Sequence, residues 1–180
     1  MVIFAQFFEK INTIDNIMLG KILSVLNESE VQELIDALPR IGILIAGADG
    51  EIKEEEINWG AKLSHIRAFK PHGKHGNLDA INEYFAKIDD HYLLRFQDIL
   101  KHLPTDTDAR STILSSELSN LNPILNKLDQ HFAAELYHNF LSFAKHIARA
   151  DGGVLGIGSI SSIEGKWINL PMIHPIETND

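Results

Sequence analysis

Ile41-Gly-Ile-Leu-Ile-Ala-Gly-Ala48, followed directly by Asp49-Gly50-Glu-Ile-Lys-Glu-Glu-Glu56, is the stretch that decides the fold. Residues 41–48 carry no polar side chain, so the element they form must be covered on every side. A strand there would need a partner with period-two alternation, and the chain offers none. A buried central helix is the reading that remains. Asp49-Gly50 ends it, because glycine permits the sharp turn that stops a helix. Pro39 is expected to kink or break the segment just upstream.

Working outward, the period stays helical. Ile22, Leu23 and Leu26, then Val31, Leu34, Ile35 and Leu38, trace apolar stripes of two short helices. Asn27 and Ser29 are candidate caps between them, and Ser29 with Gln32 has capping-box spacing. A helix is expected from Lys53 to Phe69, then a loop over Lys70-Pro-His-Gly-Lys-His-Gly-Asn77. Leu78 to Leu103 reads as one long helix. Pro104 to Asp108 is a loop of capping residues, and a helix follows from Ala109 to Leu118. Asn122-Pro123 places a cap before a helix-starting proline. Leu128, Phe132, Leu136, Phe140, Phe143, Ala144 and Ile147 form one stripe, ending at Asp151-Gly152. A glycine-rich loop over Val154 to Gly158 leads to a last short helix with Trp167. The expected architecture is all-α: a single compact bundle of about seven to eight helices over residues 1–180.

The composition narrows the function. The chain has 180 residues, no cysteine, nine histidines and a formal charge of −9. Without cysteine there is no disulfide framework, thiolate zinc site, iron–sulfur cluster or cysteine nucleophile. The acid excess argues against nucleic acid, whose binders need a basic surface. No apolar run approaches the ~18–20 residues of a membrane span. The start, Met1 to Phe8, lacks the basic flank and cleavage site of a signal peptide, so a cytoplasmic protein is expected. Phe4, Phe7 and Phe8 have helical spacing suited to docking on the core. The charge is uneven: residues 28–56 hold nine acids against two bases, and residues 57–78 hold four bases and no acid.

The acidic stretch ends in the motif D-G-x-I-x-x-x-E. Asp49, Gly50, Ile52 and Glu56 match positions 5, 6, 8 and 12 of an EF-hand loop. Positions 1 and 3 fall on Ile45 and Gly47, which have no side-chain oxygen, so the loop is no EF-hand. Its shared physics is a glycine turn, an isoleucine plug and a glutamate pointing back at the aspartate. The motif echoes at Ala150-Asp151-Gly152. Ile45, Ala46 and Ala48 align with Ile147, Ala148 and Ala150, and both tryptophans lie three residues after a glutamate, Glu56–Trp59 and Glu164–Trp167. The chain thus reads as two weakly related halves, each a helix, Asp-Gly turn and helix, with turns at 48–59 and 150–167. Paired about a pseudo-twofold axis, Asp49, Glu56, Asp151 and Glu164 would converge.

In the helix 41–48, the turn Ala48-Asp49-Gly50-Glu51-Ile52, the Glu54-Glu55-Glu56 run and the second Ala-Asp-Gly at 150–152, the sequence resembles the TerB-like family. That family includes tellurite-resistance proteins and the N-terminal domain of DjlA-type co-chaperones. The resemblance implies an all-helical fold with two related halves, acidic residues at these turns proposed to bind metal, and a setting in bacterial stress or metal-oxyanion resistance. Lys53 departs from the Ser or Thr that often caps the second helix, and the second loop is six residues longer.

The resulting expectation is a non-enzymatic domain that binds a divalent cation or a protein partner through the acidic turn. Candidate metal ligands are Asp49, Glu51, Glu56, Asp151 and Glu164. The cation would be Ca²⁺ or Mg²⁺ with oxygen ligands alone, and Zn²⁺ or Mn²⁺ if histidine joins. The alternative is a metal-independent scaffold that attracts a partner with a basic surface. Homo-oligomerisation stays open. A metal-dependent hydrolase ranks third, because di-iron bundles need two E-x-x-H pairs and the chain has one, Glu135 with His138. No serine-hydrolase elbow, P-loop or H-E-x-x-H motif is present. Structural uses compete at each position: the aspartates end helices, Glu54 to Glu56 suit a helix N-terminus, and Ser161 with Glu164 has capping-box spacing. His72 and His75 read as a solvated loop. His131, His138 and His146 read as surface residues too far apart to share a metal, and the tryptophans as core plugs.

Overall fold

The computed structural model describes residues 17–68, 76–150 and 164–178. Among them every regular element is a helix, with no strand. Eight helices run in order: α1 Ile17–Leu23, α2 Glu28–Ala46, α3 Glu54–Ala68, α4 Gly76–Asp89, α5 Tyr92–His102, α6 Thr107–Ser119, α7 Leu121–Leu125 and α8 Gln130–Ala150. A single helical turn, α9 Glu164–Trp167, follows. The all-α bundle expected from the periodicity is what is found. None of these helices is long and apolar enough to cross a membrane. Phe4, Phe7 and Phe8, the loop at 70–75 and the turn at Asp151-Gly152 lie outside the described residues.

Helix α2 is the hub, packing against α3, α5, α6, α7, α8 and α9. It is longer than expected. The helix starts at Asn27, whose side chain accepts from the Glu30 N–H while Glu30 returns to the Asn27 N–H, a complete capping box. The box therefore uses Asn27 and Glu30, not Ser29 and Gln32. Pro39 sits inside the helix without ending it. Every residue from Leu34 to Ala46 is buried, and packing on all sides outweighs the one hydrogen bond a proline removes.

The expected long helix from Leu78 to Leu103 is instead two helices. The chain turns at Asp90-His91, where the His91 N–H donates to the Ile88 carbonyl. The break redirects the aromatic stripe. Tyr84 and Phe85 belong to α4, Tyr92 and Phe96 to α5, and all four are fully buried. Asn122 does not cap a helix starting at Pro123. Asn120 precedes α7, and the Asn122 side chain instead ties down the C-terminal segment, donating to the Met172 carbonyl and accepting from the His174 N–H. The stripe on α8 is buried at every position named for it.

The tightest fit is at Tyr92. Its ring meets Phe143 of α8 edge-on at 6.0 Å and its hydroxyl end reaches between Gly42 of α2 and Gly60 of α3. A methyl group at either glycine would collide with Tyr92 Oη. At Gly60 it would also meet the ring carbons Cζ and Cε1 at 2.9 and 3.1 Å, whereas at Gly42 the next neighbour is Phe96 Cε2 at 3.3 Å. The Tyr92 hydroxyl is buried and has no hydrogen-bond partner among the described residues, and burial raises its pKa far above the ordinary phenol value.

Four outcomes are expected in thermal unfolding. Gly42→Ala and Gly60→Ala each lose about 1–3 kcal/mol, the cost of overpacking. Tyr92→Phe alone unfolds at or above the wild-type temperature, since it deletes an unpaired buried hydroxyl. Combined with Gly42→Ala it restores most of the loss, and combined with Gly60→Ala it restores little, because the ring itself still collides.

Candidate functional site

The acidic turn forms at the C-terminal end of α2. The Gly47 N–H closes the helix on the Ile43 carbonyl, and the Gly50 N–H returns to the Gly47 carbonyl. Gly50 has φ +104, a left-handed conformation that suits glycine. Ile52 is half-buried against the core, as its plug role requires. The Asp49 carboxylate accepts from the Glu51 N–H at 3.1 Å, folding back on its own turn.

Glu56 turns inward and is 4% exposed. Its Oε2 accepts from the Lys53 N–H at 3.1 Å, and the Lys53 carbonyl accepts from the Glu56 and Ile57 N–H groups. Lys53 thus stands at the cap of α3 without a capping side chain. Glu56 supplies the missing half by reaching back, which is half of a capping box. Glu51, Glu54 and Glu55 face solvent beside Asp49. Among the described residues no group of three or more histidines or carboxylates is placed to hold a metal ion. Asp151 lies outside the described residues, and Glu164 is described only as the first residue of α9, so convergence of the two turns is not on view.

A cation does sit on the inner side of the turn, and the chain carries it itself. Arg110 of α6, 5% exposed, donates through Nη2 to the Gly47 carbonyl at 2.8 Å and through Nη1 to the Thr105 carbonyl. Its guanidinium lies at the negative end of the α2 dipole, where a positive charge is stabilising. Nothing local in the sequence announces this contact across 63 residues.

A second charged region lies further along the same seam. Asp36, 4% exposed, accepts from Arg95 Nε and Nη2 at 2.8 and 2.7 Å and from Gln32. This two-pronged pairing joins α2 to α5, and Asp36 raises the Arg95 pKa. Arg40 pairs with Glu33 at 2.6 Å, and its Nε lies 2.9 Å from Glu117 of α6. Asp36, Arg40, Arg95 and Glu117 line a cleft of about 250 Å³ with Asp98, Ile99, His102, Leu103 and Ile113. Sequence reasoning missed it, because the charges are spread over three helices and each looks like an ordinary polar face.

Other polar groups have structural work. Arg67 of α3, with no carboxylate among its hydrogen-bond partners, donates to the Asn139 carbonyl and side chain and to Ser142, and lies over Phe85 and Phe143. Burial lowers its pKa to about 10, so it stays charged at neutral pH. Trp59 is partly buried and donates to the His146 carbonyl, so it seals the α3–α8 rim rather than filling the core. His131, His138 and His146 are exposed, as expected. His65, which has no companion in the local sequence, lies 2.7 Å from Asp89 of α4.

Comparison of the chain with protein-family models, curated proteins and solved structures gives no match.

Arg110→Met is expected to lower stability by about 2 kcal/mol, since charged hydrogen bonds contribute ~1.5–3 kcal/mol each. Amide exchange at Ala48 to Glu51 should accelerate more than in the centre of α8. Equal acceleration at both places would show that Arg110 has no special hold on the turn.

Proposed function

We propose that the chain is a non-enzymatic, TerB-like helical interaction domain. It holds a basic protein partner against the acidic Asp-Gly turn, in bacterial stress or tellurite and metal-oxyanion resistance. One observation carries the reading: Glu51, Glu54 and Glu55 face solvent beside Asp49, while Glu56 is turned inward to a backbone N–H. Chelation gathers oxygens around one point, and a hard cation such as Ca²⁺ needs six to eight of them. Here Asp49, Glu51, Glu54 and Glu55 are exposed, which favours long-range attraction of positive charge. The Asp49 oxygen is already engaged by its own turn. The setting in stress or resistance rests on the resemblance alone.

A divalent cation held by Asp49, Glu51 and Glu56, with Asp151 and Glu164 completing the shell, is the competing proposal. It would require Asp49 and Glu56 to share oxygens between backbone donors and the ion.

Biolayer interferometry with an immobilised peptide of alternating lysine and alanine tests the reading. Binding to the full chain is expected to fall steeply with salt and to ignore chelator. The triple variant Glu51→Lys, Glu54→Lys, Glu55→Lys should bind about tenfold more weakly, near 1.4 kcal/mol. Unchanged binding by that variant would sink the proposal. Calorimetry with Ca²⁺, Mg²⁺, Mn²⁺ and Zn²⁺ decides the rival: heats that vanish in Asp49→Ala plus Glu56→Ala would favour the ion.

A further inference from the structure

The cleft between α2, α5 and α6 has features that the acidic turn lacks. It is concave, with a volume of about 250 Å³. That is below the ~300–1,000 Å³ of small-molecule sites and suits a single side chain. Ile99, Leu103 and Ile113 give it an apolar wall. Its fixed charges do not balance: Arg40 and Arg95 face Asp36, Asp98 and Glu117, with His102 also in the lining and Glu33 pairing Arg40. Asp36 is committed to Arg95. Asp98 also pairs with Arg95 at 3.0 Å and Glu117 lies against Arg40, but their side chains are 52% and 37% exposed, so each keeps solvent-facing acceptor capacity for an incoming group.

Arg40 adds an independent sign. The residue is 9% exposed and lines the cleft, yet its Nε–H has no hydrogen-bond acceptor among the described residues. Glu117 Oε2 lies 2.9 Å away but off the donor axis. A buried guanidinium donor without an acceptor is costly. The Nε is closed off from solvent with Glu117 against it, so a main-chain carbonyl of a bound peptide takes this donor once Glu117 turns to an incoming cation.

We propose that this cleft is the socket for one lysine or arginine side chain of a peptide partner. The aliphatic stem lies on Ile99, Leu103 and Ile113, and the charged head meets Asp98 and Glu117. A backbone carbonyl of the peptide takes the Arg40 Nε–H. This deepens the proposed function and rests on its reading of a basic partner. The register of the seam sets the distance between the two places along α2. Arg110 meets Gly47 and Glu117 meets Arg40, so α2 and α6 run antiparallel with seven residues between the contacts on each helix. At 1.5 Å per residue the socket lies about 10 Å from the turn. A basic segment of about two helical turns covers both, with one residue inserted and the others over the acidic turn.

The test uses the full chain labelled at its Ile and Leu methyl groups, titrated with acetyl-Ala-Ala-Arg-Ala-Ala-amide and with the same peptide carrying Gln for Arg. Saturable shifts at Ile99, Leu103 and Ile113 with the Arg peptide are expected at low salt. They should persist at about 0.3 M, where exposed charges are screened beyond ~6 Å. Asp98→Asn with Glu117→Gln should weaken the titration about tenfold. The wild-type methyl shifts do not depend on how the variant folds. Equal titration by the Gln peptide overturns the socket. Shifts confined to Ile52 and Ile57 beside the turn also overturn it, while leaving the proposed function in place. No shift at either place at low salt overturns both.

Discussion

The phenol of Tyr92 fits only because two positions on neighbouring helices carry no side chain. Gly42 and Gly60 let α2, α3 and α5 approach closely enough for one ring to touch all three, and Phe143 brings α8 to the same point. Gly42 and Gly60 also carry the propensity cost of glycine inside a helix, ~1 kcal/mol each. That cost is offset by the close packing it permits. The arrangement fixes where α2 ends relative to α3, and hence the geometry of the Asp-Gly turn between them. The unpaired Tyr92 hydroxyl is the residual penalty of this solution.

Much of the fold was legible because periodicity reports burial. The α8 stripe and the apolar 41–48 segment were placed correctly, and the Asp-Gly stop fell within a few residues of where α2 ends. Errors came where tertiary packing overrode local signals. Pro39 reads as a breaker, but a helix buried on all sides tolerates it. Asp90-His91 contains no glycine or proline, so the break between α4 and α5 left no mark in composition. Asn122 looked like a cap because of its neighbour Pro123, and its amide instead serves a segment 50 residues away.

The candidate site divides in the same way. The turn was legible, because aspartate, glycine, isoleucine and glutamate at fixed offsets encode it locally. The inward rotation of Glu56 was not foreseen, although the lack of a capping side chain at Lys53 hinted at the need. The charged cleft was invisible. Asp36 and Arg95 are 59 residues apart, and nothing in either neighbourhood names the other. Paired buried charges are weak contributors to net stability, yet breaking such a pair is costly, so they specify the register of α2 against α5 more than they strengthen it.

Arg110 also bears on how the turn comes into being. The Gly47 carbonyl that shapes the acidic turn is held by a guanidinium contributed 63 residues later. Residues 41–56 alone therefore encode the turn but do not own the cation that fixes it. During synthesis the stretch would emerge well before α6 and wait unclamped. The acidic surface takes its final form only once the chain through Arg110 has folded onto α2. The proposed recognition through this turn is thus tied to the completed fold: an excised peptide would be a poor mimic, and a partially folded chain would present a different face.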